Sequence, residues 1–427
     1  MKVSKISIFI HFIKHRFSRY FRSNKISASR KRQWSKTLLK SPFYQNIIRR
    51  KKDFPLMDKK LFMENFNSIN TVKIKKNEAL DVAFKSEELR DFSPTIHGIS
   101  IGLSSGTSGN RGVFLTSKSE KEIWVGAILD RVIGFSIKKR RIALFLRANN
   151  NLYEAIQSKL LSFIFFDLKT SLDQHINPLI NLRAHILVGQ PSVLMEIAKA
   201  YKTLGVKAAF DKVISVAEVL EDDQKEFLTS IFKCQIDQMY QCTEGFLGYT
   251  CKKGKLHLNE DWLRVEKKYI DSEKTRFHPV ITDYLRTSQP IVRYELNDIL
   301  HQGLPCDCGS KSTVIQKIEG RSDDVFKFHQ NGKEIVIYPD FFRRAIILSS
   351  DQIINYCVTL THEKTISLYL ETTQSAKSSK MFESVTQEIT KMLFNFGISG
   401  VDIIPTNIEL NQMSKFKRIR NEYSKTI

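Results

Sequence analysis

From residue 141 onward the apolar residues of this chain fall into short runs that switch between strand-like and helix-like periods, and this alternation limits the fold more than any other feature. Residues 141–146 read as a buried strand and 152–161 as a helix. Residues 185–188 read as a strand, after which Gln190-Pro191 opens a helix running towards Leu204. Pro191 suits a first helical position, where no backbone donor is needed. A strand at 213–216, a helix at 222–232 and a strand at 236–240 continue the series. Strands and helices alternating in this way predict a layered α/β domain with substantial parallel pairing.

The pattern changes after Gly320. A strand at 334–337, a helix at 339–348, a hairpin pairing 356–360 with 365–370, a helix at 380–396 ending at Gly397, and a strand at 401–404 give a βαββαβ order. With 427 residues, 42% of them hydrophobic, the chain exceeds what one core usually serves. The expected organisation is a basic, helical N-terminal arm (1–52), a large α/β N-terminal domain (53–320) and a smaller α+β C-terminal domain (321–427).

The formal charge of +22 is unevenly placed: no Asp or Glu precedes Asp53, and the remainder is only mildly basic. In the arm, Ile6, Phe9, Ile10, Ile13, Phe17, Tyr20 and Phe21 fall near helical spacing among Lys5, Lys14, Arg16, Arg19 and Arg22. Such a helix either rests on an anionic membrane surface or packs on its own domain with a solvated basic face. The apolar stretch from Ile6 is interrupted by His11 and lacks a small-residue cleavage site, so no secretory signal is expected. The longest apolar run elsewhere, around 160–166, is too short to span a bilayer. Six scattered cysteines without a secretion signal argue against structural disulfides and for a cytoplasmic location, with peripheral membrane contact through the arm as the variant. No recognition motif accompanies the charge, so nucleic acid is not an expected partner.

Five segments carry chemistry. Ser104-Ser105-Gly106-Thr107-Ser108-Gly109-Asn110-Arg111-Gly112 follows an apolar stretch. Its glycines permit close backbone approach, its N–H groups and hydroxyls can surround phosphate oxygens, and it lacks the Gly-Lys-Ser/Thr ending of a Walker loop. Tyr240-Gln241-Cys242-Thr243-Glu244-Gly245 leaves a predicted strand, where an aromatic can stack on a base, Thr can bond phosphate and Glu can hold Mg²⁺. In Ile291-Val292-Arg293-Tyr294-Glu295-Leu296-Asn297-Asp298 the final acid suits ribose hydroxyls. Gly320-Arg321-Ser322-Asp323-Asp324 sits at the domain boundary, and Ser414-Lys415-Phe416-Lys417-Arg418 lies near the C-terminus. Taken singly, each has a plainer structural reading as a solvated turn, a strand exit or a surface charge.

In this order and spacing the set resembles the adenylate-forming superfamily of acyl-CoA synthetases and nonribosomal adenylation domains. It is most similar to the phenylacetate-CoA ligase-like branch, which includes archaeal deazaflavin-coenzyme adenylating synthetases. Ser41-Pro42-Phe43-Tyr44 and Leu256-His257-Leu258-Asn259-Glu260-Asp261 add to that likeness. The resemblance implies ATP and Mg²⁺ as cofactors, a carboxylic acid substrate (aromatic by default), and coenzyme A or a carrier protein as acceptor. It implies that Ser104 to Gly109, with Arg111, cradle phosphate, that Thr243 contacts the α-phosphate, and that Glu244 holds Mg²⁺. Tyr240, Asp298 and Arg321 would bind the nucleotide, Asp323 would be the hinge, and Lys415 the catalytic lysine. Glu218, in Ser215-Val216-Ala217-Glu218, would flank the adenine and acyl pockets. Apart from the resemblance, the segment Phe145 to Tyr153 is a candidate pocket wall, in which Arg147 could pair with an anionic substrate. The chain departs from the family pattern at Arg111, at Asn297 before Asp298 and at Ser414 before Lys415. Two further readings stand beside ligation: adenylyl transfer that stops at the AMP adduct, and a non-catalytic, membrane-associated nucleotide-binding relative.

Cys251 and His257, with the later Cys306-Asp307-Cys308-Gly309, provide three thiols and an imidazole, the donor set of structural zinc. Free thiols with a surface histidine are the plainer alternative.

Overall fold

The computed structural model describes residues 3–20, 26–89, 91–103, 112–146, 157–168, 172–321, 325–337, 339–350, 352–372, 378–407 and 417–423. The chain divides into two compact units, Met1–Leu296 with Leu300–Ile318, and Asn297–Ile299 with Glu319–Ile427.

In the larger unit, helices α1 (Lys5–Tyr20), α2 (Ala28–Leu38), α3 (Pro42–Arg49), α4 (Lys59–Glu64), α5 (Phe66–Ile69) and α6 (Lys76–Leu89) precede a small antiparallel sheet of β1 (Thr95–Ile96), β2 (Ile99–Leu103) and β3 (Val113–Thr116). Helix α7 (Lys118–Ile128) begins with a capping box between Ser117 and Glu120 and runs directly into a π-helical turn, Leu129–Ile133. Then follow β4 (Arg140–Leu146), β5 (Leu161–Asp167), α8 (Asp173–Leu182), β6 (Ile186–Gly189), α9 (Pro191–Thr203), β7 (Lys212–Val216), α10 (Asp222–Phe232) and β8 (Ile236–Gln241). Strands β5, β4, β6, β7 and β8 lie side by side and parallel. Strands β9 (Phe246–Thr250), β10 (Leu256–Leu258), β11 (Leu263–Tyr269), β12 (Arg276–Asp283), β13 (Ile291–Glu295), β14 (Asp298–Gln302) and β15 (Val314–Arg321) extend the same sheet to twelve strands.

Side chains alternate across the parallel strands and so build two cores. Ile142, Leu144, Ile186, Val188, Ile214 and Val216 face α7 and the π-turn. Ala143, Phe145, Leu187 and Val213 face Leu179 of α8, Leu194 and Ile197 of α9, and Leu228 and Phe232 of α10. Local chemistry sets the helix starts: Pro191 occupies the first turn of α9, and Glu221 and Gln224 cap α10 above Asp222 and Asp223.

One expected element differs. The helix read at 152–161 is absent from its described part, residues 157–160, and Leu161–Asp167 forms strand β5. A short, continuous apolar run has the same appearance in a buried strand and a buried helix, and here pairing with β4 decides.

The basic arm belongs to the larger unit. Ile8, Phe12 and His15 are buried on the side of α1 that packs on α7. The approach requires Gly126, because a Cβ there would lie 2.7 Å from His11 Cβ. Ser4 N donates to Glu122 Oε1 at 2.7 Å, and Arg19 Nη2 pairs with Asp130 Oδ1 at 2.6 Å.

The smaller unit holds the hairpin β16 (Phe326–Gln330) and β17 (Lys333–Ile337), α11 (Pro339–Ser349), β18 (Ile353–His362), β19 (Thr365–Thr372), α12 (Ser378–Asn395), β20 (Asp402–Pro405) and β21 (Ile419–Asn421). Its four-stranded sheet runs β20-β19-β18-β21 over a core that includes Phe342, Val358, Leu368, Val385 and Ile389.

Candidate functional site

Strand order reverses between β4 and β6, since β5 lies on one side of β4 and β6, β7 and β8 follow on the other. Ligands of open α/β sheets bind outside the carboxyl ends of the strands at such a reversal. Residues 147–156 follow β4, the buried Gln190 follows β6, Ala217-Glu218 follows β7, and Cys242 to Gly245 follow β8. Ala217 has φ +68°, a left-handed conformation uncommon for a side chain with a Cβ, and Glu218 N donates to Val216 O at 2.9 Å. The result is a tight γ-turn of the strained hand. It places Glu218 Oε2 where it accepts from Ser192 N, in the first turn of α9, at 3.3 Å.

The turn after β8 is closed by Cys242 N donating to Gly245 O at 3.1 Å. Within it Thr243 Oγ1 donates to Glu244 Oε2 at 2.9 Å, and Glu244 is buried. The Tyr294 hydroxyl also hydrogen-bonds Glu244; burial first, then the Glu244 charge and that bond, hold the phenol protonated far above its usual range. Two separate sequence segments thus converge on one carboxylate. Tyr240 is buried in the core beneath, on β8.

Behind this turn lies a residue that the motifs did not single out. Asp283, which ends β12, is fully buried, and burial is the main cause that pushes its carboxyl up to about 7. Its Oδ1 accepts from Leu285 N at 2.7 Å, while Oδ2 has no hydrogen-bond partner among the described residues. A Cβ at position 245 would stand 3.0 Å from that Oδ2, so Gly245 permits the contact. The only trace in the sequence is an acid closing the mixed strand Arg276–Asp283 just after the apolar pair Val280-Ile281.

Asp298 and Arg321 both belong to the smaller unit. Gly303 N donates to Val314 O at 2.8 Å, setting the end of β14 against the start of β15. Asp298, which opens β14, and Arg321, which closes β15, therefore fall at the same end of two neighbouring strands. Ser104, Ser105, Gly106, Thr107, Ser108, Gly109, Arg111, Arg147, Asp323 and Lys415 lie outside the described residues.

An apolar cavity of about 40 Å³ lies between the π-turn and the parallel sheet, lined by residues that include Leu129, Val132, Leu144, Val188, Ile214 and Met239. π-Helical turns are frequent at functional sites. Here Leu129, Val132 and Ile133 line the cavity, while Asp130 and Arg131 anchor the turn from outside. Arg131 pairs with Asp261 Oδ2 at 2.6 Å, donates to Asn259 Oδ1, and lies 4.0 Å over the Trp262 ring. The segment from Leu256 to Asp261 is therefore an anchoring device as well as a strand.

Cys251, His257, Cys306 and Cys308 come together in the larger unit, their ligand atoms all within 4.8 Å of one another. Cys251 Sγ is 3.7 Å from Cys306 Sγ, and Cys308 Sγ is 3.5 Å from His257 Nε2. A tetrahedral ion bonded at ~2.3 Å to sulfur and ~2.0 Å to nitrogen requires S···S near ~3.8 Å and S···N near ~3.5 Å. His257 Nδ1 lies 3.3 Å from Ser312 O, the arrangement in which Nδ1–H donates outward and leaves Nε2 as the donor to a metal. Lys253 N and Ser310 N each donate to a cysteine sulfur, of Cys251 and Cys308, at 3.4 Å. Without a cation, burial and the neighbouring thiols push the Cys308 thiol up to about 11. The four residues fit zinc.

No family model matches the chain. Among curated proteins, the indoleacetate–lysine synthetase of Pseudomonas savastanoi is 28% identical over 128 residues, which span 29% of this chain and only 31% of that protein. Among solved structures, a 2-hydroxyisobutyryl-CoA ligase in its postadenylation state, in complex with 2-HIB-AMP, is similar over 93% of this chain and 89% of its own, with a TM-score of 0.67 and 15% identity. Fatty acyl-adenylate ligases from E. coli and L. pneumophila give a TM-score of 0.53 at 12% identity, covering 73% of this chain and 67% of theirs. What the chain shares with these proteins is the fold of adenylate-forming ligases: a large α/β unit followed by a smaller α+β unit.

Proposed function

We infer that this chain uses ATP to activate a carboxylic acid as an acyl-adenylate and then passes the acyl group to a thiol, of coenzyme A or of a carrier protein. The observation that carries the reading is the convergence of Thr243 and Tyr294 on the buried Glu244 at the carboxyl end of β8. In a fold shared with acyl-adenylate-forming ligases, a carboxylate held there suits Mg²⁺, which neutralises charge as the acid attacks the α-phosphate. Thr243 would bond the phosphate, and Ser104 to Gly109 with Arg111 would supply its cradle. Asp298 and Arg321 would take the ribose, Tyr240 would support the base from beneath, and Lys415 would meet the phosphate as the smaller unit swings about Asp323. The apolar cavity between the π-turn and the sheet suits an apolar acyl group, with an aromatic acid as the default and Arg147 and Glu218 as candidate substrate contacts. The cysteine–histidine cluster would hold zinc as a brace between the loop after β9 and the loop before β15, without taking part in the reaction.

The test is pyrophosphate release with ATP and Mg²⁺ across aromatic and aliphatic acids, comparing the wild type with Lys415→Ala. Acid-dependent release that collapses in the variant supports the reading. ATP binding without release for any acid overturns it in favour of a non-catalytic nucleotide-binding protein, and acid-dependent pyrophosphate release with no AMP set free on adding thiol favours transfer that stops at the adduct.

A further inference from the structure

Helix α1 is apolar on two sides. Ile8 and Phe12 are used against α7, but Ile6 is 75% exposed, Phe9 57%, Ile10 46% and Phe17 57%. These four follow one another at spacings of three, one and seven residues, one stripe on a helix. Lys5, Lys14, Arg16 and Arg19 are exposed around it. The loop after the π-turn extends the same surface. Phe135 and Ile137 are 56% and 76% exposed, next to the exposed Lys138 and Lys139. Phe12 stacks on Phe135 with ring centroids 6.2 Å apart, and the Arg16 guanidinium lies 5.4 Å over the Phe135 ring. No acidic residue occurs in 1–52 or in 134–146. Asp130, which faces α1, is buried and occupied by Arg19.

We propose that this face, α1 together with the loop 134–139, docks on the surface of an anionic lipid bilayer. Two segments more than a hundred residues apart in sequence present the same chemistry side by side: exposed Phe and Ile interleaved with Lys and Arg. The apolar side chains enter the acyl boundary and the cations meet lipid phosphates. The centre of a protein interface is depleted of charge, and a second copy of this chain would bring the same sign to the same place. Nucleic acid would gain nothing from Ile6, Ile10 and Ile137. Among the described residues no helix is long and apolar enough to cross a membrane, so the helix lies in the surface plane. The proposal does not depend on adenylation, because its readout is lipid binding.

The experiment is co-sedimentation of the full chain with phosphatidylcholine vesicles, with and without phosphatidylglycerol, over a range of salt. The wild type is expected to sediment with the mixed vesicles and to be released by salt and by omission of the anionic lipid. Neutralising Lys138 and Lys139 to Gln lowers partitioning about fivefold per charge. Phe9→Asp with Ile137→Asp abolishes it, while the urea midpoint stays within error because both side chains are exposed. Failure to bind mixed vesicles at low salt overturns the proposal. So does a concentration-dependent dimer, seen by sedimentation velocity, that dissolves in the Phe9/Ile137 variant, since it assigns the face to a second copy.

Discussion

Arg131 Nη2 stands 2.6 Å from Asp261 Oδ2, and the two side chains keep only 3% and 11% of their surface. This pair ties the π-turn beside the apolar cavity to the segment between β10 and β11. Removing one partner strands the other charge out of water, at a cost of about 3–5 kcal/mol. Asp261→Ala is therefore expected to lower the urea midpoint substantially. Arg131→Met with Asp261→Leu should recover much of the loss, and an unchanged midpoint in the single variant would show that the pair contributes nothing.

Zinc content is directly measurable. Plasma mass spectrometry of the purified chain should find one zinc per molecule, absent from Cys306→Ser and Cys308→Ser and retained in Cys234→Ser, which lies outside the cluster. The first two variants should melt at lower temperature than the third. Equal zinc in all of them would dismiss the site.

Glu244→Gln preserves shape and removes the charge proposed for Mg²⁺. Acid-dependent pyrophosphate release should drop about 100-fold or more, with the Mg²⁺ needed for half-maximal rate rising. Tyr294→Phe removes only a hydrogen bond to the same carboxylate and should cost about tenfold or less. Equal effects of both would mean that the tyrosine does more than position Glu244.

Asp283 makes a pH prediction. Its carboxyl titrates near 7 in the folded chain, mainly because it is buried, against about 3.9 when unfolded. Below both values each state carries the proton, and between them the folded state binds more. The Asp283 contribution to stability is therefore present at acidic pH and is lost as pH rises from about 4 through about 7. Asp283→Asn cannot titrate. In paired urea titrations the variant should gain on the wild type between pH 5 and pH 8, and parallel pH profiles would refute the assignment.

Ala217→Gly tests whether the turn after β7 stores strain. Glycine adopts φ +68° without the Cβ penalty, so the variant should be more stable by about 1 kcal/mol in urea. If the strain positions Glu218, the same change raises KM for the acid while leaving KM for ATP near the wild-type value.

Much of this architecture could be read along the chain. The α10 helix was expected at 222–232 and forms at Asp222–Phe232, because its acidic first turn and apolar spacing are local properties. Pro191 marks the start of α9 in the same way. The four zinc-type donors were legible as residue types, but only pairing of β10 with β9 and β15 brings them within reach of one ion. What escaped depends on distant partners. β5 has no periodicity of its own, the π-turn is held by Arg19, Asp261 and Trp262 from far along the chain, and Asp283 acquires its character from burial alone. The exposed apolar loop at 134–139 reads like any short connection until α1 is laid beside it.

The route of the chain through its largest sheet also has a consequence in time. His257 of β10 pairs with Val314 of β15, while β9, on the other side of β10, is made earlier. A ribosome must add some sixty residues between them, roughly 3–12 s at ordinary elongation rates. Through that interval the emerging chain carries an open strand edge in what will become the middle of a sheet, with Cys251 and His257 still waiting for Cys306 and Cys308. A pause in translation across 259–313 would keep that edge open for longer still.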